Sequence, residues 1–120
     1  MRFITALGLT ACLTFLPITA ASALTAPSQK EIIAYAHGYV RALGGERQWS
    51  CFYKVINRES HWNPKAQNGK YYGLGQLANS KRWSNGKPYL QVRAAWKYMT
   101  RRYSGKACGA WEHSQRTGWY

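Results

Sequence analysis

Residues 49–77 read WSCFYKVINRESHWNPKAQNGKYYGLGQL, and the change of pattern inside this stretch decides the fold class. Its first part is helical: Phe52, Val55 and Ile56 share one side, Glu59 falls on the same side seven residues after Phe52, and Lys54 and Arg58 lie on another. Ser50 is the candidate N-cap of this short helix. From Asn63-Pro64 to Lys87-Pro88, Gly69, Gly73, Gly75 and Gly86 break any helical period, so the reading becomes turns and short strands. A patterned helix therefore runs into a loop-rich or short β-hairpin middle segment.

Helices flank that core stretch on both sides. Upstream, Ser28 and Glu31 form a capping box after Pro27, and Ile32, Tyr35, Ala36, Tyr39, Val40 and Leu43 recur at helical spacing until Gly44-Gly45. Downstream, Pro88 suits a first helical turn, and Tyr89, Val92, Trp96, Met99 and Tyr103 follow at spacings of three and four before Ser104-Gly105. A last helix is predicted from Ala107 to Arg116, stopping at Gly118. The expectation is a small, mainly α domain with a β-containing middle.

The whole chain has 120 residues and a formal charge of +13. Its opening, Arg2 followed by an uncharged, largely apolar run closed by Ala21-Ser22-Ala23, predicts an export signal over residues 1–23, with the domain at 24–120. An uncleaved anchor, or lipidation at Cys12 after Leu9-Thr10-Ala11, are the competing readings. Removing 23 of 120 residues leaves 97, too few for a cofactor fold plus a second domain. Arg2 is the one Lys or Arg lost, so the charge falls only from +13 to +12: an exported polycation, secreted, periplasmic or held at the cell wall. Beyond Cys12 two cysteines remain, Cys51 and Cys108; in an oxidising compartment the simplest reading is one disulfide, with two buried thiols as the alternative.

The sequence contains no aspartate, so four glutamates make up the acidic inventory. Glu31 serves the capping box. Glu46, after Gly44-Gly45 and beside Arg47, reads as a solvated loop charge, and Glu112 pairs with Arg116 four residues on. Glu59 differs because it ends an apolar stripe. Burial on that face and the negative end of the helix dipole both disfavour its anion and raise its pKa, as a general acid requires, while Arg58 and His61 are close enough in sequence to oppose this. The three histidines stand apart from one another without Cys or Asp at ligand spacing, so no metal site is expected, and Gly73-Leu74-Gly75 lacks the third glycine of a dinucleotide loop. Trp62, Tyr71, Tyr72 and Trp83 lie in the middle segment, either as a platform for sugar rings or as core filler. Interleaving with Lys70, Lys81, Arg82 and Lys87 also suits single-stranded nucleic acid, but export and a disulfide argue against a specific nucleic-acid role.

Glu59-Ser60, followed by Asn63-Pro64, Ala66, Asn68 and Gly73-Leu74-Gly75-Gln76-Leu77, resembles the lytic transglycosylase family of the lysozyme-like superfamily. In that family a catalytic Glu-Ser precedes an Asn-Pro-x-Ala stretch and a Gly-Leu-x-Gln turn. The ending Ala110-Trp111-Glu112-His113-Ser114 with Gly118-Trp119-Tyr120 is similar to the close of small secreted wall proteins. The resemblance implies a monomeric, mostly helical lysozyme-like domain that needs no cofactor. It would cleave the MurNAc–GlcNAc bond of peptidoglycan by intramolecular attack, leaving a 1,6-anhydro end. By position, Glu59 would act as acid and then base, Ser60 would support it by hydrogen bonding, and Gln76 would line the cleft beside Tyr72. The family's Tyr-Asn third motif is not evident, which leaves Trp111 or Tyr120 for the upper wall.

The carboxylate inventory agrees with this on independent grounds. A two-carboxylate glycosidase needs a partner within about 5 to 9.5 Å, and no Asp exists to supply it. Glu112 as that partner would give ordinary lysozyme hydrolysis. A fold kept without catalysis would instead make a cationic protein for anionic wall polymers or membranes.

Overall fold

The computed structural model describes residues 11–14 and 25–120; the expected export signal at 1–23 lies outside them except for its short 11–14 run. Among the described residues no helix is long and apolar enough to cross a membrane. The chain is mainly helical with a small antiparallel sheet in its middle, as the sequence pattern predicts. Helix α1 is Gln29–Ser60, α2 Lys81–Ser84, α3 Pro88–Arg102 and α4 Ala107–Thr117; strands β1 Gln67–Asn68, β2 Tyr71–Tyr72 and β3 Leu77–Ala78 lie between α1 and α2.

Ser28 caps α1 as expected: its hydroxyl accepts from the Glu31 N–H, and the Glu31 carboxylate accepts from the Ser28 N–H at 2.6 Å. This local bonding holds the Glu31 carboxyl below its ordinary range. Gly44-Gly45 ends the first helical arm as expected, but no loop follows it. Gly45 takes φ 80° and ψ 174°, so two helical arms join directly at a kink. A Cβ at Gly44 would stand 2.7 Å from the Trp96 ring, which explains why the bend needs a small residue just before it. Two expectations change with this geometry. Ser50 lies inside the second arm rather than at its cap, and Glu46 opens that arm instead of sitting in a loop. There the Glu46 carboxylate reaches back across the kink to His37 (2.8 Å) and Arg41 (3.1 Å).

Each arm turns one apolar face inward: Ile32, Ala36 and Val40 from the first, Phe52, Val55 and Ile56 from the second. Val92, Ala95, Trp96 and Met99 of α3 and Ala107 and Ala110 of α4 complete the core, at roughly 1.5–3 kcal/mol for each large side chain removed from water. Cys51 and Cys108 are disulfide-bonded across 57 residues, fastening the second arm of α1 to the start of α4.

The sheet has the order β1-β2-β3 with Tyr71 opposite Asn68 and Ala78, and Tyr72 opposite Gln67 and Leu77. Side chains alternate along a strand, so the two adjacent tyrosines part company: Tyr72 is buried and Tyr71 is exposed. Buried Gln91 of α3 fastens the segments around the sheet. Its amide oxygen accepts from the Leu74 N–H (2.8 Å), and its amide nitrogen donates to the carbonyls of Pro64 and Ser84.

Candidate active site

The second arm of α1 ends at Ser60, where His61 adopts a left-handed φ of 50° and returns its N–H to the Asn57 carbonyl. Trp62 is also left-handed and turns its indole into the core, only 1% exposed. This reversal leaves Glu59, in the last turn, at the wall of a cleft of about 460 Å³. Asn68, Tyr71 and Gln76 face it from the sheet region, Tyr98 from α3, and Trp119 and Tyr120 from the segment after α4.

Glu59 is the one carboxyl-bearing side chain among these lining residues, and it is half-buried. Desolvation raises its pKa above the ordinary glutamate value, partly offset by the positive charge of Arg58. Arg58 makes no ion pair with it; its guanidinium donates instead to the Ser114 carbonyl of α4 at 2.8 Å. Opposite, the Tyr120 hydroxyl donates to the Gly75 carbonyl. Burial, then the neighbouring charge of Glu59, push that phenol well above its usual range, so it remains a neutral donor.

Gln76 lines the cleft on its turn. Its backbone is left-handed (φ 50°), and its amide nitrogen donates to Ala66 O (2.9 Å) and Gly73 O (3.0 Å), which leaves its amide oxygen to accept a further bond. The turn is packed closely enough that a Cβ at Gly75 would come within 2.9 Å of the Ala95 side chain. Tyr98 meets the Tyr120 ring edge-on at 5.5 Å, and its hydroxyl accepts from Arg102 at 3.3 Å. At the rim Trp119 is 51% exposed but held in place, with the Arg102 guanidinium over its ring at 5.1 Å and the His113 ring against it at 4.2 Å.

Glu59, Gln76 and Tyr120 line one cleft, and three other sequence candidates lie elsewhere. Ser60 is buried and its hydroxyl donates to Ile56 O at 3.1 Å within its own helix, so it does not bond the Glu59 carboxyl. Tyr72 is on the inward face of β2 with its hydroxyl on the Asn85 amide oxygen at 2.7 Å; strand alternation places Tyr71 in the cleft instead. Trp111 packs against the core beside Lys54 and does not line the cleft. Glu112 is exposed on α4, outside the cleft, and makes no ion pair with Arg116 among the described residues. Trp62 is core, whereas Trp83 is exposed further along the surface. Sequence reasoning missed Tyr98 altogether and assigned no role to Trp119. The available signal for Tyr98 was an aromatic flanking the Val92–Trp96–Met99 stripe on the helix after the glycine-rich turn.

Comparisons of the chain with protein-family models, with curated proteins and with solved structures give no match.

Proposed function

We propose that this protein is an exported lytic transglycosylase that cleaves the MurNAc–GlcNAc bond of peptidoglycan with Glu59 as its single acid and base. The observation that carries the reading is a cleft with one carboxyl-bearing side chain, whose desolvation raises its pKa, surrounded by aromatic and amide side chains. Neutral Glu59 protonates the glycosidic oxygen as the C1–O bond breaks. The same carboxylate then takes the proton of the 6-hydroxyl as that oxygen attacks C1, so the proton is conserved and the product is a 1,6-anhydro sugar. The sugar's own N-acetyl group does what a second carboxylate does in other glycosidases. Flat faces of Tyr71 and Trp119 suit pyranose rings, and the Gln76 amide oxygen can accept from a sugar hydroxyl. No cofactor takes part in this scheme.

The chain's excess of positive charge supports export to an anionic wall, where it would hold the enzyme near its substrate. Digestion of purified peptidoglycan followed by mass analysis of the fragments tests the proposal. Anhydro ends are the expected result. Reducing ends would replace it by lysozyme-type hydrolysis, and intact glycan with retained wall binding would make the protein a non-catalytic binder.

A further inference from the structure

The cleft does not end at the sugar-facing residues. Tyr71, Gln76, Tyr98 and Tyr120 also line an adjoining depression of about 330 Å³ that reaches Leu77 and Trp83. Leu77, Trp83 and Tyr98 in turn border a larger groove of about 630 Å³ between α3 and the first arm of α1. Tyr98 borders all three, so a ligand can run from Glu59 into this outer groove without leaving the surface.

The outer groove has a different chemistry from the cleft. Its apolar side is Leu43, Leu90 and Trp83, of which Leu43 is 59% exposed. Along it run Arg93, Lys97 and Arg101, four residues apart on α3 and therefore in one line, all exposed. Arg93 donates to the Tyr35 hydroxyl, but none of the three pairs with a carboxylate among the described residues. None of the four glutamates lines the groove. A line of uncompensated cations beside an apolar trough matches a flexible ligand with both carboxylates and small apolar groups. A polyphosphate would leave the apolar side unused, and a bilayer would not exploit a concave path that continues into a cleft.

We propose that this groove binds the carboxylate-bearing peptide branches of the glycan strand whose sugars occupy the cleft. The protein would then prefer peptide-substituted over bare glycan. The inference rests on the proposed function, because continuity with the Glu59 cleft is what ties the peptide to the sugar chain.

The test uses the full mature protein and the free peptide branch released from purified peptidoglycan by an amidase, with calorimetric binding as the readout. Arg93→Gln/Lys97→Gln/Arg101→Gln should weaken peptide binding by at least about tenfold, and raised salt should weaken it in the wild type. Lys30→Gln/Lys65→Gln/Lys106→Gln removes equal charge elsewhere and should leave peptide binding within about twofold of wild type. Equal losses in both triple variants would reduce the effect to net charge and overturn the proposal. So would wild-type protein that does not bind the peptide, or dependence on the α3 cations seen with anionic phospholipid vesicles and not with peptide. Cleavage plays no part in this readout. Protein that yields anhydro ends yet ignores the peptide refutes the groove alone, while loss of all cleavage refutes the function on which it rests.

Discussion

Two glutamates mark the two ends of the second arm of α1, and the fold treats them oppositely. Glu46 stands in the first turn, where the helix dipole favours an anion, with His37 and Arg41 in contact and its side chain 59% exposed. Glu59 stands in the last turn, where the dipole disfavours an anion, half-buried, with no cation in ion-pair contact among the described residues. One carboxylate is welcomed and does a structural task across the Gly45 kink. The other is made uncomfortable as an anion, and that discomfort is what general-acid chemistry uses. Position on a helix and access to water, rather than residue type, separate the two.

The contrast breaks most visibly in activity. Glu59→Gln should lower glycan cleavage by at least about 10²- to 10⁴-fold, because an amide of the same shape cannot pass the proton to the departing oxygen. Glu46→Gln and Glu112→Gln should keep cleavage near wild type, since neither side chain lines the cleft. A comparable loss in Glu112→Gln would reinstate a two-carboxylate mechanism.

The Cys51–Cys108 bond secures the middle of the arm between the two glutamates. Replacing both cysteines by alanine should cost about 4 kcal/mol on the chain-entropy model, and lower Tm by on the order of 20 °C in a domain of this size. A shift of only a few degrees would mean that the kink and the α1–α4 packing hold the arm without help. Glu46→Gln should cost under about 1 kcal/mol, as an exposed ion pair does, with a correspondingly small change in Tm.

Arg58 offers a finer adjustment at the other end of the arm. Its charge lowers the Glu59 pKa, so Arg58→Met should move the alkaline limb of the pH–rate profile upward, and Arg58→Lys should largely preserve it. Downward movement in Arg58→Met would contradict the electrostatic assignment.

Much of this contrast is legible in the sequence because it is local. The Ser28–Glu31 capping box depends on residues three apart, and the Phe52–Val55–Ile56 stripe already shows that Glu59 shares the inward face. What is illegible depends on partners distant in the chain. Gly44-Gly45 carries the signature of a helix stop, but packing against Trp96 lets a new arm begin at once. Tyr71 and Tyr72 are indistinguishable until strand pairing sets which of them faces inward. Ser60 looks placed to assist its neighbour, yet its hydroxyl has a nearer carbonyl one turn back at Ile56. Tyr98 and Trp119 join Glu59 only through the packing of α3 and α4 on α1, which no spacing near residue 59 encodes.

Desolvation lets Glu59 hold its proton at a pH where an ordinary glutamate has begun to lose it. Because its folded pKa is raised, the stability this group contributes is fully present below the ordinary value of 4.5 and is lost as pH rises through the folded value. Glu59→Gln should therefore hold or raise stability at neutral pH and remove that part of the pH dependence. Carbon-detected NMR titration of the side-chain carboxyls, with Glu59 identified by its absence in Glu59→Gln, measures that shift directly. The expected Glu59 midpoint lies above 4.5. A midpoint at or below that value would show a carboxylate already ionised, and the acid role assigned to it would fail.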